Sequence, residues 1–357
     1  MSPNHHWSRL LVLTATSALV ISACGPSQVQ LGNGAAIANA PAVALAKLAS
    51  SAPSRDISAA ALPVISDDDP RYLWQVLTGA GGGVLLTRLD GTDQVRLATD
   101  VPGVHKHANW SPDGEHVVFI DDVTETMWIA NLDGSASRQL PGCDHDGCDY
   151  PAWSPDGTKI AFSRYLSAPD VIGPTSVGIE VLDLASGRSS QVIRLERPLL
   201  ADVPRWSPDG RRLVFGVDRM DDEANETGAA IAVVDAKGGR PTYLTDFDRY
   251  LYAPDWNTRT GEIVAGTSLR EFAPNVDLGK ETWDVWGLRP DGSHLRQITH
   301  ASPRQRFAGA KWTPDGARIL AFDFKHYTSV EIDPVTGHAS KIHGPVNTTS
   351  PKLRPTS

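Results

Sequence analysis

Basic charge is in short supply: 33 Lys and Arg face 42 Asp and Glu, a formal charge of -9, and no Lys/Arg cluster forms a stripe. A nucleic-acid ligand needs such a stripe to neutralise phosphates, so that class is set aside. Long apolar runs are also missing. The longest apolar stretch, between Leu10 and Ala23, is too short and too rich in small residues for a spanning helix. Cysteine occurs only three times, as Cys24, Cys143 and Cys148, so at most one pair remains beyond Cys24. Residues 24–69 have few large side chains and many Ala, Ser and Pro, and such a stretch buries too little surface to form a domain.

What the chain has instead is repetition. Trp153-Ser154-Pro155-Asp156-Gly157 has clean copies at Trp110-Ser111-Pro112-Asp113-Gly114, Trp206-Ser207-Pro208-Asp209-Gly210 and Trp312-Thr313-Pro314-Asp315-Gly316. Trp256 opens a worn copy, Asn257-Thr258-Arg259-Thr260-Gly261, one residue longer and without the Pro-Asp pair. The units recur at roughly fifty residues, a period that belongs to propellers and arrays. Within each, Pro presets φ, Asp bonds nearby amides and Gly supplies φ > 0, so the motif reads as a tight hairpin turn. Short apolar runs follow it, among them Val117-Val118-Phe119, Ile160-Ala161-Phe162 and Leu213-Val214-Phe215, as expected of strands.

A second hairpin lies some twenty residues past each Trp, as at Asp133-Gly134, Asp183 to Gly187, Asp235 to Gly239, Asp291-Gly292 and Asp333 to Gly337. A sixth lies upstream at Asp90-Gly91, after a strand expected over Tyr72 to Leu77. Each unit therefore reads as four antiparallel strands, A to D. Six such hairpins against five Trp turns lead us to expect an all-β, six-bladed β-propeller of four-stranded antiparallel blades over residues 70–344, with 345–357 a tail or closing strand.

The unit Trp-Ser-Pro-Asp-Gly followed by an apolar run ending in Phe resembles the WD40-like repeat of TolB-type β-propellers, seen also in the propellers of prolyl oligopeptidase relatives. The resemblance spans about residues 70 to 343 and implies the fold; it implies little about function. TolB-type proteins carry an α/β domain before the propeller, which is not legible here. No G-x-S-x-G and no α/β-patterned region after the last repeat are found, so the prolyl oligopeptidase route to peptidase chemistry is not expected.

Residues 1–23 have the form of a secretory signal, with Arg9 before an apolar stretch. Ile21-Ser22-Ala23-Cys24 also resembles a bacterial lipobox, which implies lipidation of Cys24; an ordinary signal peptide with an incidental Cys is the other reading. The expected location is across the inner membrane and lipid-anchored in the cell envelope, on the periplasmic side or at the cell surface. In an oxidising compartment Cys143 and Cys148 would close a short disulfide loop. Asp144, His145 and Asp146 between them leave a metal site open as an alternative, although neither a metal nor a cofactor is expected.

If strands alternate in direction, the tight A–B and C–D turns share one end of the disc and the longer B–C and D–A connections share the other. Binding concentrates where long connections gather on a rigid scaffold. Residues expected on that face or at the channel mouth are His107, Asn109, Tyr150, Arg205, Tyr250, Tyr252, Asp255, Arg306 and Lys311. Asn109, Ala152, Arg205, Asp255 and Lys311 directly precede the repeat Trp and should face the central channel. There they would hold an anion or a partner's acidic segment, or else neutralise one another. Two functions stay open. One is a monomeric, non-catalytic envelope protein docking a protein or glycan. The other is a propeller enzyme of the oligogalacturonate-lyase or glycoside-active type, using His105, His107 or His145.

Overall fold

Every Trp turn closes as its residues dictate. In the computed structural model Ser111, Ser154, Ser207 and Thr313 each donate a side-chain hydroxyl to the Asp two residues on, at 2.5 to 2.6 Å. The same carboxylates accept the backbone N–H that follows the glycine. Gly114, Gly157, Gly210 and Gly316 take φ of 66 to 70°, the left-handed region open to glycine without a Cβ penalty. The worn copy does the same work with other atoms. Asn257 Oδ1 accepts the N–H groups of Arg259 and Thr260, and Gly261 turns at φ 73°.

The structure describes residues 95–342 except 102, 133–134, 144–146, 169–172, 223–224, 268–282, 303–304 and 327, together with strands at 55–56, 74–77, 84–88 and 352–353. The expected signal, Cys24 and the Asp144-His145-Asp146 segment lie outside the described residues. The first sheet holds β1 (Arg55–Asp56), β2 (Trp74–Leu77), β3 (Val84–Arg88) and β4 (Val95–Leu97). Blade I is β5 (His105–Trp110), β6 (His116–Asp121), β7 (Met127–Asn131) and β8 (Arg138–Gln139). Blade II is β9 (Cys148–Trp153), β10 (Lys159–Leu166), β11 (Ser176–Asp183) and β12 (Arg188–Glu196). Blade III is β13 (Leu199–Trp206), β14 (Arg212–Met220), β15 (Glu226–Asp235) and β16 (Thr242–Tyr243). Blade IV is β17 (Leu251–Trp256), β18 (Ile263–Thr267), β19 (Val285–Leu288) and β20 (Arg296–Gln297). Blade V is β21 (Phe307–Trp312), β22 (Ile319–Asp323), β23 (Thr328–Ile332) and β24 (Ala339–Lys341), after which β25 (Lys352–Leu353) returns to the first sheet.

The architecture is an all-β propeller, and the expected count of six four-stranded blades is corrected to five. The remaining sheet has five strands in the order β1-β4-β3-β2-β25. Its β25 pairs antiparallel with β2 and its β1 pairs parallel with β4, so both ends of the chain enter it. The physical reason is the missing Trp turn: no such motif precedes β2 in the sequence, and the edge of β2 is paired by the distant β25.

Each blade is a meander whose A strand is the inner edge strand, and large apolar groups fill the seams between blades. Trp206, Leu213 and Phe215 pack with Ile179, Val181 and Ala161 of blade II. Trp256 and Ile263 pack with Val214 and Ile231 of blade III, and Trp312 and Ile319 pack with Val264 and Val285 of blade IV. Two Trp indoles also donate across a seam, Trp206 to Ala152 O at 3.0 Å and Trp256 to Arg205 O at 3.2 Å. The seam between blades IV and V is further tied at the turns. Asn257 Nδ2 donates to Gly316 O at 2.9 Å and Thr258 Oγ1 to Pro314 O at 3.0 Å.

Several stretches expected to be long connections prove to be strand. In blades II and III the B and C strands run eight to ten residues. Only Arg197 and Pro198 separate β12 from β13. Arg164 to Leu166 and Val217 to Met220 continue the ladder past the point where the short apolar motif ends.

Candidate functional site

The A strand of every four-stranded blade carries the same irregularity three residues before its Trp. In blade III, Asp202 pairs with Gly216 and Arg205 with Val214, leaving Val203 and Pro204 opposite Phe215 alone. The other four A strands shift register at the matching place. The first residue of each bulge sits in the left-handed region: His107 at φ 51°, Tyr150 at 50°, Val203 at 54°, Ala253 at 49° and Gly309 at 67°. This is the β-bulge in which two residues oppose one. The second bulge residue is Ala108, Pro151, Pro204, Pro254 or Ala310. Proline is at home there because that residue makes no ladder bond.

The bulge has a consequence for the site. On a regular strand the residues one and four before the Trp would point to opposite faces. With one residue added they share a face, which sets Asp202 beside Arg205 and Tyr252 beside Asp255 at the inner edge of the disc.

The polar groups gathered this way form one buried network across blades I to IV. His107 stacks on Tyr150 of the next blade, with ring centroids 4.0 Å apart, and its Nδ1 is bonded to Asp149 Oδ1. Lys106 Nζ lies 3.3 Å from the other Asp149 oxygen and 3.1 Å from Asp122. Burial alone would raise the Asp149 pKa, but His107 and Lys106 outweigh it and hold the carboxyl below its usual range. For Lys106 burial pulls downward, and Asp149 and Asp122 carry the ammonium above the ordinary lysine range.

Asp202 is the centre of the second half. Tyr165 donates its hydroxyl to Asp202 Oδ2, Tyr252 donates to the same oxygen at 3.2 Å, and the Val203 N–H donates to Oδ1 at 2.8 Å. Even so, burial dominates and, with the charge of Asp149, lifts Asp202 to about 6. Asp218 rises well above the carboxylate range, first by burial and then by Glu226 and Asp202. Such a cluster can donate and accept protons near neutral pH and can hold a polar ligand by several hydrogen bonds at once. No group of three or more His, Cys, Asp or Glu suited to a metal ion is found among the described residues.

The sequence-expected residues divide as follows. His107, Tyr150, Arg205, Tyr252, Asp255 and Lys311 lie on the bulged inner strands. Asn109 is there too, its amide donating to Pro151 O of blade II at 3.2 Å. Tyr252 and Tyr250 are not exposed loop aromatics: they are 2% and 9% accessible. Tyr252 is buried by the seam, and Tyr250 ends a 3-10 turn at φ 54°. Arg306 lies outside the network, its guanidinium 4.9 Å above the Trp283 ring. His105 is buried, its ring 4.6 Å from that of Phe119 in blade I. The residues before each Trp reach neighbouring blades: Asp255 Oδ2 accepts the Trp312 N–H of blade V at 2.9 Å, and Lys311 Nζ turns back to Ala253 O and Pro254 O of blade IV. Sequence reasoning missed Asp149, Tyr165, Asp202 and Asp218. The signal that could have found the first and third is the Pro two residues before Trp153, Trp206 and Trp256, which marks the bulge.

Cys143 and Cys148 are buried, with Cα atoms 5.6 Å apart and their sulfurs facing each other.

No family model matches this sequence. Over 159 residues the chain is 31% identical to a protein of Bacillus subtilis (strain 168) described as the uncharacterized peptidase YuxL, a match covering 42% of this chain and 23% of that protein. The chain thus spans less than a quarter of that relative's length. Among solved structures, a putative TolB from Agrobacterium tumefaciens superposes with a TM-score of 0.53 at 18% identity, over 71% of this chain and 91% of that one. An oligogalacturonate lyase in complex with manganese superposes with a TM-score of 0.50 at 14% identity, over 75% and 72%. These likenesses, with the meander blades and the repeated Trp turn, make the fold of this chain that of a TolB-like β-propeller.

Proposed function

We propose that this chain is a non-catalytic cell-envelope lipoprotein whose propeller binds a protein partner at the end where the B–C and D–A connections emerge, in a scaffold or adaptor role. One observation carries the reading: five A-strand bulges turn a set of polar and charged side chains toward the inner edge of the disc, at the cost of left-handed backbone at four non-glycine positions. Strain repeated at one place in four of the five blades is kept where a surface has to be shaped. The rim of that end also shows exposed side chains of mixed character, including Val123 at 76% accessibility, Asp248 and Arg249.

The rest of the reading follows from the chain itself. The pattern ending in Ile21-Ser22-Ala23-Cys24 supports export and lipid attachment at Cys24, with residues 24–69 as the link. Facing sulfurs support a Cys143–Cys148 disulfide in an oxidising compartment. Pairing of β25 with β2 supports a role for the five-stranded sheet in closing the ring between blades V and I. The protein acts as a monomer, with no nucleic acid and no cofactor.

The test is capture from solubilised membranes by the full-length protein, beside a variant carrying Val123→Asp and Arg249→Glu. A stoichiometric partner recovered by the wild type and lost with the variant, at unchanged melting temperature, supports the reading. Equal recovery by both proteins sinks it.

A second reading has its own observation. Asp149 fixes one nitrogen of His107 and leaves the other as a base, the arrangement by which a carboxylate orients a catalytic imidazole. On that reading the chain is a propeller hydrolase or lyase acting on a glycan, a possibility its fold shares with the oligogalacturonate lyase. Turnover of acidic oligosaccharides abolished by His107→Ala, or a near-equimolar bound metal, would favour this second reading over the first.

A further inference from the structure

Arg205, Asp255 and Lys311 occupy the same position, directly before the repeat Trp, in blades III, IV and V. All three lie where the inner strands converge, and both cations are buried, at 8% and 4% accessibility. Their mutual pairing is incomplete. Arg205 Nε stands 3.8 Å from Asp255 Oδ1, beyond hydrogen-bond reach, and one guanidinium N–H is satisfied by Pro204 O at 2.7 Å. The second Asp255 oxygen is taken by the Trp312 N–H. Among the described residues Lys311 Nζ reaches two carbonyls, Ala253 O at 3.5 Å and Pro254 O at 3.4 Å.

Among the described residues Arg205 therefore has one carboxylate oxygen at 3.8 Å, and Lys311 has carbonyls but no carboxylate within ion-pair distance. The two cations are close enough that Arg205, after burial, is the next cause holding Lys311 at a pKa of about 7. Buried cations normally carry a full set of strong acceptors, because an unpaired charge in a low-dielectric site is costly. The groups that could fill the gap from the protein are already engaged. Tyr252 is bonded to Asp202, and Asp202 is bonded to Tyr165 and the Val203 N–H.

We propose that Arg205 and Lys311 form the binding site for a carboxylate, whose two oxygens lie in the guanidinium fork while the lysine ammonium completes the charge. A planar, singly charged group suits the site better than a phosphate dianion, since Asp255 flanks it and would repel the second charge. The carboxylate has two conceivable sources: a free small acid entering the channel, or an acidic side chain of the partner. Only the second source rests on the docking function above.

The experiment uses the purified full chain in detergent, with calorimetry and thermal unfolding in the presence of malonate, neutral malonamide, or a hexaglutamate peptide. Malonate or the peptide binds the wild type and malonamide does not. Arg205→Met and Lys311→Met each weaken that binding about tenfold or more, the range of a lost charge-assisted contact. Arg205→Lys keeps the charge, loses the fork and binds weakly as well. The unliganded variants unfold no earlier than wild type, since each removes a buried cation. Malonate binding without peptide binding assigns the site to a free acid, and the reverse assigns it to a partner. No binding by the wild type to either, or equal binding by wild type and variants, overturns the proposal. Loss of membrane-partner capture in the Val123/Arg249 rim variant with malonate binding intact shows the two surfaces to be separable, so either inference can fail alone.

Discussion

Tyr252 of blade IV reaches across the seam to donate its hydroxyl to Asp202 of blade III at 3.2 Å, and its ring lies over Gly216, the pairing partner of Asp202. A Cβ on Gly216 would stand 2.6 Å from the Tyr252 ring. Glycine within a strand commonly marks such a close approach.

Gly216→Ala should therefore destabilise the protein by about 1 to 3 kcal/mol, the usual cost of overpacking a closed core. Tyr252 is 2% accessible, so its ring has nowhere to swing. Thermal unfolding checks this, together with a double-mutant cycle against Tyr252→Ala. A truncated residue 252 makes room for the new methyl, so the two effects should be strongly non-additive. Additivity would mean that the ring does not lie against Gly216.

Asp202 gives the fold a pH dependence of definite sign. Its pKa of about 6 in the folded state exceeds the unfolded carboxyl value, so between about pH 4 and 6 the native state holds a proton that the unfolded chain has lost. Stability contributed by this group is complete below pH 4 and is lost as pH rises through 6, a change of about 3 kcal/mol at 1.36 kcal/mol per unit. Asp202→Asn keeps an acceptor for the Val203 N–H and removes the titration. It should flatten the denaturation midpoint over that window and stabilise the protein at pH 7. A variant whose pH profile parallels the wild type would show that Asp202 is not the group that titrates.

The worn turn of blade IV makes a separate prediction. Asn257 sits beneath the Gly316 turn of blade V, its Oδ1 2.5 Å from where a Gly316 Cβ would be, and Gly316 has φ 66°. Gly316→Ala meets both the strained backbone and the buried amide, and about 1 to 3 kcal/mol of destabilisation follows. At Gly157, also at φ 70°, the nearest heavy atom to a new Cβ would be Pro112 Cδ at 3.9 Å. Gly157→Ala therefore carries the backbone cost alone and should lose less. Urea midpoints for the two variants decide it, and equal losses would remove the Asn257 clasp from the account.

What could be read from the chain in advance follows how local each signal is. Ser-Pro-Asp-Gly and its neighbours determine a turn through contacts within five residues, so the propeller and the repeat period were legible. The first sheet was not, because its pairing joins Gln75 to Leu353 and Arg55 to Val95, and no local pattern reports a partner that distant. Tyr252 read as a loop aromatic because nothing local shows how far the strand before Trp256 extends, and only its pairing with Gly266 places it in a seam; Tyr250 lies just outside that ladder, at the end of a 3-10 turn. The network around Asp149 and Asp202 was illegible for a related reason. Its side chains meet only because a bulge sets them on one face, and the bulge shows in the sequence as nothing more than a Pro two residues before the Trp in three units.

The bulge itself is open to test through the two residues that bracket its cost. Ala253 and Gly309 hold the same place in adjacent blades, at φ 49° and 67°. Left-handed backbone costs a residue with a Cβ about 1 to 2 kcal/mol, and glycine escapes that cost. Ala253→Gly should therefore hold or raise stability despite losing a buried methyl, whereas Gly309→Ala should lower it by about 1 kcal/mol or more. On a regular strand the order would be the reverse, since glycine weakens a ladder relative to alanine. Melting temperatures of the two single variants thus distinguish a bulge from a straight strand, and with it decide whether Tyr252 and Asp255 share a face.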